Sequence, residues 1–109
     1  MRRFLLFLFS LFLAIHVYGK QIPVAILSRN GNGYRVLTFT YADESTATAK
    51  DGEFGTYAIG NGNITPDWWS KNERVSKVIF TKEFANAKPT STMMWFANMS
   101  NLTEIDSLV

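Results

Sequence analysis

The sequence predicts a mainly β protein, α+β once its leading segment is counted: a small antiparallel sheet caps the first coil of a solenoid, and a signal-peptide helix precedes it. Three observations carry this reading. An Asn-Gly turn lies between two strand-like segments, a β-branched run covers 75–80, and apolar residues recur at every third position from Phe96 to Leu108.

The leading segment comes first. Arg2 and Arg3 form a basic start, Phe4 to Ile15 is apolar except for Ser10, and Val17-Tyr18-Gly19 ends in a small residue suited to a signal peptidase. A bilayer span needs about 20 apolar residues, whereas this run is shorter and leaves through His16. Residues 1–19 are therefore read as a cleaved signal, which predicts a secreted or cell-surface protein that meets a membrane only through that signal. No Cys follows it, so a lipid anchor there is excluded.

The whole chain has 11 Lys and Arg against 9 Asp and Glu, and loss of Arg2 and Arg3 leaves the remainder formally neutral. Nucleic acids and anionic membranes demand a basic patch. Here Arg29, Arg35, Lys50, Lys71, Arg74, Lys77, Lys82 and Lys88 are scattered singly among acids, so no nucleic-acid partner is expected. The single His is His16, inside the signal, and there is no Cys. His-based triads, Cys nucleophiles, Zn sites built on either residue and disulfides are thereby excluded from the rest. Among the carboxylates, Asp43-Glu44, Asp51 with Glu53, and Glu104 with Asp106 are the pairs. The last could share one face of a strand, but each reads as a loop or solvent pair. Asp51-Gly52-Glu53 is too poor in oxygen ligands for calcium. The expectation is a protein without enzymatic activity, cofactor or metal.

From Gln21 onward the pattern is β. Pro23 to Ser28 is a short apolar run, and Tyr34 to Tyr41 alternates, with Leu37, Phe39 and Tyr41 expected to face a core. Between them Arg29-Asn30-Gly31-Asn32-Gly33 predicts a hairpin, because Asn and Gly tolerate positive φ. Ala42 to Gly52 lacks apolar periodicity and reads as a mobile loop. Phe54 to Ile59 offers a short strand carrying Tyr57, which Gly60-Asn61-Gly62-Asn63 ends. Val75 to Phe80 reads as a central strand. Residues 20–88 thus form a β-rich N-terminal cap.

Trp68 and Trp69 are adjacent, so both cannot point inward from one strand. With Tyr57 they could form an aromatic platform that stacks on a sugar ring. The alternative is that one plugs the sheet and the other covers its edge, since aromatic side chains dominate small cores. Asn63-Ile64-Thr65, Asn98-Met99-Ser100 and Asn101-Leu102-Thr103 match the glycosylation sequon.

Residues 89–109 are read as a first, incomplete repeat-like turn. A period of three over Phe96, Met99, Leu102, Ile105 and Leu108 fits neither a long helix nor a flat strand. It fits a chain that turns a corner, with a short helical turn after Pro89 capped by Thr90 or Ser91, and Leu102-x-x-Ile105-x-x-Leu108 entering a solenoid strand. Trp95, Phe96, Met99, Leu102, Ile105 and Leu108 are its expected core.

Leu37-Thr38-Phe39-Thr40-Tyr41 and Val78-Ile79-Phe80, followed by Phe84, Ala87, Pro89 to Thr92, Trp95-Phe96, Met99 to Thr103 and Ile105, resemble the N-terminal region of BspA-type leucine-rich-repeat surface proteins of bacteria. The resemblance spans about Val24 to Leu108. It implies an exported, non-enzymatic cap of a leucine-rich-repeat solenoid, associated with adhesion to host or bacterial surface macromolecules through repeats further along. In that family many repeats continue, whereas this sequence stops at Val109, so no binding residue is carried over. A first repeat exposes one end of an apolar core, and a domain this small buries only about 60 to 65% of its unfolded surface. Ile105, Leu108 and Val109 facing no neighbour predicts marginal stability, self-association or both.

Overall fold

Gly31, Asn32 and Gly33 adopt φ of 75°, 53° and 81°, a region that Gly enters freely and Asn more readily than most residues. Tyr34 N–H donates to the Gly31 carbonyl at 2.9 Å, and Asn30 N–H to the Tyr34 carbonyl at 3.0 Å. In the computed structural model, which describes residues 19–59, 66–89, 92 and 94–108, this turn joins β1 (Gln21–Arg29) to β2 (Arg35–Asp43). The two strands are antiparallel, with Leu27 opposite Leu37. The hairpin follows the sequence prediction with shifted ends: Tyr34 belongs to the turn, and Ala42 and Asp43 extend β2. The expected signal helix and the Gly60-to-Asn63 turn lie outside the described residues.

Strands β3 (Gly55–Ala58), β4 (Val75–Thr81) and β5 (Glu104–Leu108) complete a five-stranded sheet in the order β3-β1-β2-β4-β5. β3 pairs antiparallel with β1, but β4 runs parallel to β2 and β5 parallel to β4. The expected antiparallel sheet is thus corrected to a mixed one. The physical reason is the length of chain over 44–74 and 82–103, which carries each strand back to the starting end, as a parallel pair requires. The described residues contain no α-helix. Their only helical turns are 3-10, at Glu44–Thr46, Trp69–Arg74 and Lys82–Asn86, so the fold is mainly β.

One sheet face carries the core. Ala25, Leu27, Leu37, Phe39, Tyr57 and Val78 are buried there, covered by Trp68, Phe84 and Trp95 from the connections. Phe39 is the centre: its ring stacks on Phe80 (5.1 Å between centroids, 13°) and Trp95 (5.2 Å, 13°), and meets Trp68 edge-on at 5.9 Å. Tyr41, expected inside, is half-buried, because β2 outlasts its pairing with β4 at Phe39.

The segment after β2 is more ordered than its composition suggests. Asp43 Oδ1 accepts from Ser45 N–H at 3.0 Å and Ser45 Oγ at 2.9 Å, an N-cap that starts the first 3-10 turn. Further on, Ala49 N–H donates to the Thr56 carbonyl at 3.1 Å while its side chain packs on the core. Over 92–102, N–H groups of Trp95, Ala97, Met99 and Leu102 each donate to the carbonyl three residues earlier. Their donors fall two or three residues apart, so these turns do not set the apolar period of three, of which Met99 and Leu102 pack against the core while Phe96 and Ile105 are exposed. The proposed cap at Thr90 or Ser91 lies outside the described residues.

Candidate functional site: a tryptophan groove and a sheet edge

In a 3-10 helix residues three apart lie on one side, so Trp69 and Asn72 share a side, as do Ser70 and Glu73. Trp68, just before the helix, is 1% exposed. It meets Tyr57 and Trp95 edge-on at 5.9 and 6.0 Å, and its indole N–H donates to the Trp95 carbonyl at 3.3 Å. Tyr57 is buried as well, its hydroxyl donating to the Glu53 and Lys50 carbonyls. Burial pushes the Tyr57 phenol above its ordinary 10.0, and the Glu53, Asp67 and Asp51 carboxylates add to the rise. An aromatic platform of Trp68, Trp69 and Tyr57 is therefore corrected, since two of the three rings face the interior. The arrangement is the alternative, one tryptophan plugging the core and the other at its margin.

Trp69 is half-buried and lines an open groove of about 540 Å³ with Ser70, Glu73, Asn98 and Ser100. Asn72 fixes the distance between the two walls. Its fully buried side chain donates to the Trp95 carbonyl at 3.1 Å and the Ala97 carbonyl at 2.9 Å, and Asn101 Nδ2 adds a bond to the Glu73 carbonyl at 2.7 Å. Asn98, at φ 62°, lines the groove. Two enclosed atoms, Trp69 Nε1 and Asn72 Oδ1, have no hydrogen-bond partner among the described residues. A groove of this size is adequate for a small ligand, and its ring, carboxylate, amide and hydroxyls match the apolar face and hydroxyl edge of a sugar. Sequence reasoning found Trp69 and missed the rest. Asn72 sits in Ser-Lys-Asn-Glu-Arg, where nothing in the pattern signals a buried side chain.

The other candidate is the far edge of the sheet. β4 and β5 pair in register from Lys77 with Glu104 to Thr81 with Leu108, so Val78 meets Ile105, residue 78 against residue 105, an offset of 27. Among the described residues the outer edge of β5 is unpaired. The expected repeat core divides here. Trp95 is buried and Met99 and Leu102 pack against the core, whereas Phe96 is 39% and Ile105 64% exposed. The Leu108 side chain lies outside the described set. On the opposite face of β5, Glu104 and Asp106 do share a side, and both pair with Lys77 Nζ, at 3.0 and 3.2 Å. Their hydrogen bonds raise the Lys77 pKa above its ordinary 10.5. Both acids thus serve strand pairing, and Asp43 serves as a helix cap. Asn101, in one of the sequons, has its amide engaged as described above.

No family model, curated protein or solved structure matches the chain.

Proposed function

We propose that the chain is the N-terminal block of a secreted or surface-exposed, non-enzymatic, leucine-rich-repeat-like protein of the BspA type, whose adhesive surface belongs to repeats further along. The observation that supports this reading most is the parallel β4-β5 pair at an offset of 27 residues, ending on a strand that carries Ile105 and whose outer edge is unpaired among the described residues. Strands stacked in register at a fixed chain spacing are how solenoids grow, and a terminal block has one open end. Reading the coding DNA beyond the Val109 codon tests it. Segments that place an apolar strand at about the same spacing support the proposal, and unrelated sequence after a stop codon removes it.

A second reading is a carbohydrate-binding module, favoured by the groove beside Trp69. It predicts that a glycan panel changes tryptophan fluorescence, and that Trp69→Ala abolishes the change while leaving the buried Trp68 and Trp95 signals in place. Silence across the panel eliminates it.

A further inference from the structure

Four chain segments meet at the hairpin end of the sheet: the end of β1, the start of β2, the residue before β3 and the residue before β4. They carry Arg29 and Arg35, across the hairpin turn from each other, with Phe54 and Arg74 from more distant stretches of the sequence. Arg29 and Arg35 are directly opposite each other in the β1-β2 register, and both guanidinium carbons lie 4.5 Å from the centroid of the Phe54 ring. Arg35 is held further by donation from Nη1 to the Gly33 carbonyl at 2.7 Å. Arg74 reaches the same glycine, its Nη1 3.6 Å from where a Gly33 Cβ would stand. Phe54 is itself 39% exposed.

Three cations so close call for counter-charge, and like charges directly opposite in a sheet are destabilising. The ion pairs among the described residues are those of Lys77 with Glu104 and Asp106, so no carboxylate among those residues pairs with the three arginines. The nearest acids in sequence are used elsewhere: Glu53 accepts from Lys50 N–H at 3.4 Å, and Glu73 lines the tryptophan groove. Cation–π contact with one phenyl ring offsets only part of the repulsion. Guanidinium forks match the oxygens of sulfate and phosphate groups.

We propose that Arg29 and Arg35, both on the Phe54 ring, together with Arg74 beside Gly33, form a site for a sulfate or phosphate group borne on a polysaccharide. A nucleic acid fits less well. The cluster is compact rather than a stripe along a groove, and Phe54 already carries two guanidinium groups, so it offers no free stacking platform for a base. The site is distinct from both readings above and stands whether or not the chain caps a solenoid.

The test uses fluorescein-labelled dextran sulfate, with uncharged dextran as the neutral control and inorganic sulfate as the free-ion arm. Dextran sulfate binds at low salt, uncharged dextran does not, and the double variant Arg29→Gln/Arg74→Gln weakens binding about tenfold. The charge-matched Lys50→Gln/Lys82→Gln variant stays within about twofold, because scattered surface cations contribute little. Because sulfate stabilises folded proteins in general, recognition of the group is read as the part of its excess over chloride in melting temperature, at equal ionic strength, that Arg29→Gln/Arg74→Gln loses; an equal excess in parent and variant overturns it. That variant melts no lower than the parent in chloride, since it relieves repulsion, which separates loss of the site from loss of the fold. Equal weakening by the two double variants, or failure of dextran sulfate to bind, overturns the proposal. Tighter binding of single-stranded DNA than of dextran sulfate overturns the polysaccharide assignment.

Discussion

Asn72 holds together two stretches of chain that have little regular structure of their own. Its amide satisfies carbonyls in the 94–97 turns while the residue itself is sealed from water. Asn72→Ala should cost about 1–3 kcal/mol, the penalty of leaving buried carbonyls unpaired. Asn72→Asp should cost more, since it sets acceptor oxygens against carbonyl oxygens. Urea unfolding monitored by tryptophan fluorescence checks both. Phe39→Ala, which empties the centre of the aromatic cluster, should cost about 3–5 kcal/mol. Tyr57 gives a pH prediction. Its folded pKa lies above 10.0, chiefly through burial, so the folded state holds the phenolic proton more tightly than the unfolded chain. That contribution is complete below pH 10 and is lost as pH rises through the folded value. Lys77, raised above 10.5, acts in the same direction. The melting temperature should therefore fall in strong alkali, less steeply in Tyr57→Phe.

At the level of elements, β4 and β5 are joined by only five register pairs and by Lys77 between Glu104 and Asp106. The hairpin has nine pairs and a turn whose residues favour its geometry. The strands should therefore open in order, β5 before β1 and β2. Lys77→Glu sets three carboxylates together, and amide hydrogen exchange over 104–108 should accelerate while Val24 to Leu27 remains protected. Added salt should narrow the difference by screening it. Uniform exchange across all five strands in Lys77→Glu would refute this ordering.

For the whole molecule, the unpaired edge of β5 and the exposed Ile105 make self-association the expected behaviour at high concentration, because such edges template pairing with another chain. Sedimentation should show species heavier than the monomer as concentration rises. Ile105→Glu should leave a monomer at every concentration, with stability changed by no more than about 0.5 kcal/mol, as for a surface substitution. A parent chain that is monomeric throughout, with a concentration-independent melt, would show the edge to be inert.

What the sequence by itself determined is local. The Asn-Gly turn, the alternation of β2 and the β-branched β4 are all written in neighbouring residues, because dihedral preference and side-chain periodicity act over a few positions, whereas the period of three over 96–108 did not mark which residues are buried, Phe96 and Ile105 being exposed. Of the tryptophan pair, the sequence said that both could not point inward from one strand; the two lie instead at the start of a 3-10 helix, with Trp68 buried and Trp69 half-buried. Tertiary structure decided the rest. The direction of β4 depends on its pairing with β2, about 40 residues earlier in the chain, and the burial of Asn72 on carbonyls more than 20 residues away. The convergence of Arg29, Arg35 and Arg74 depends on the register of three strands. Charges that look scattered along a chain become a cluster only when strand pairing, a long-range interaction, fixes which ends lie together.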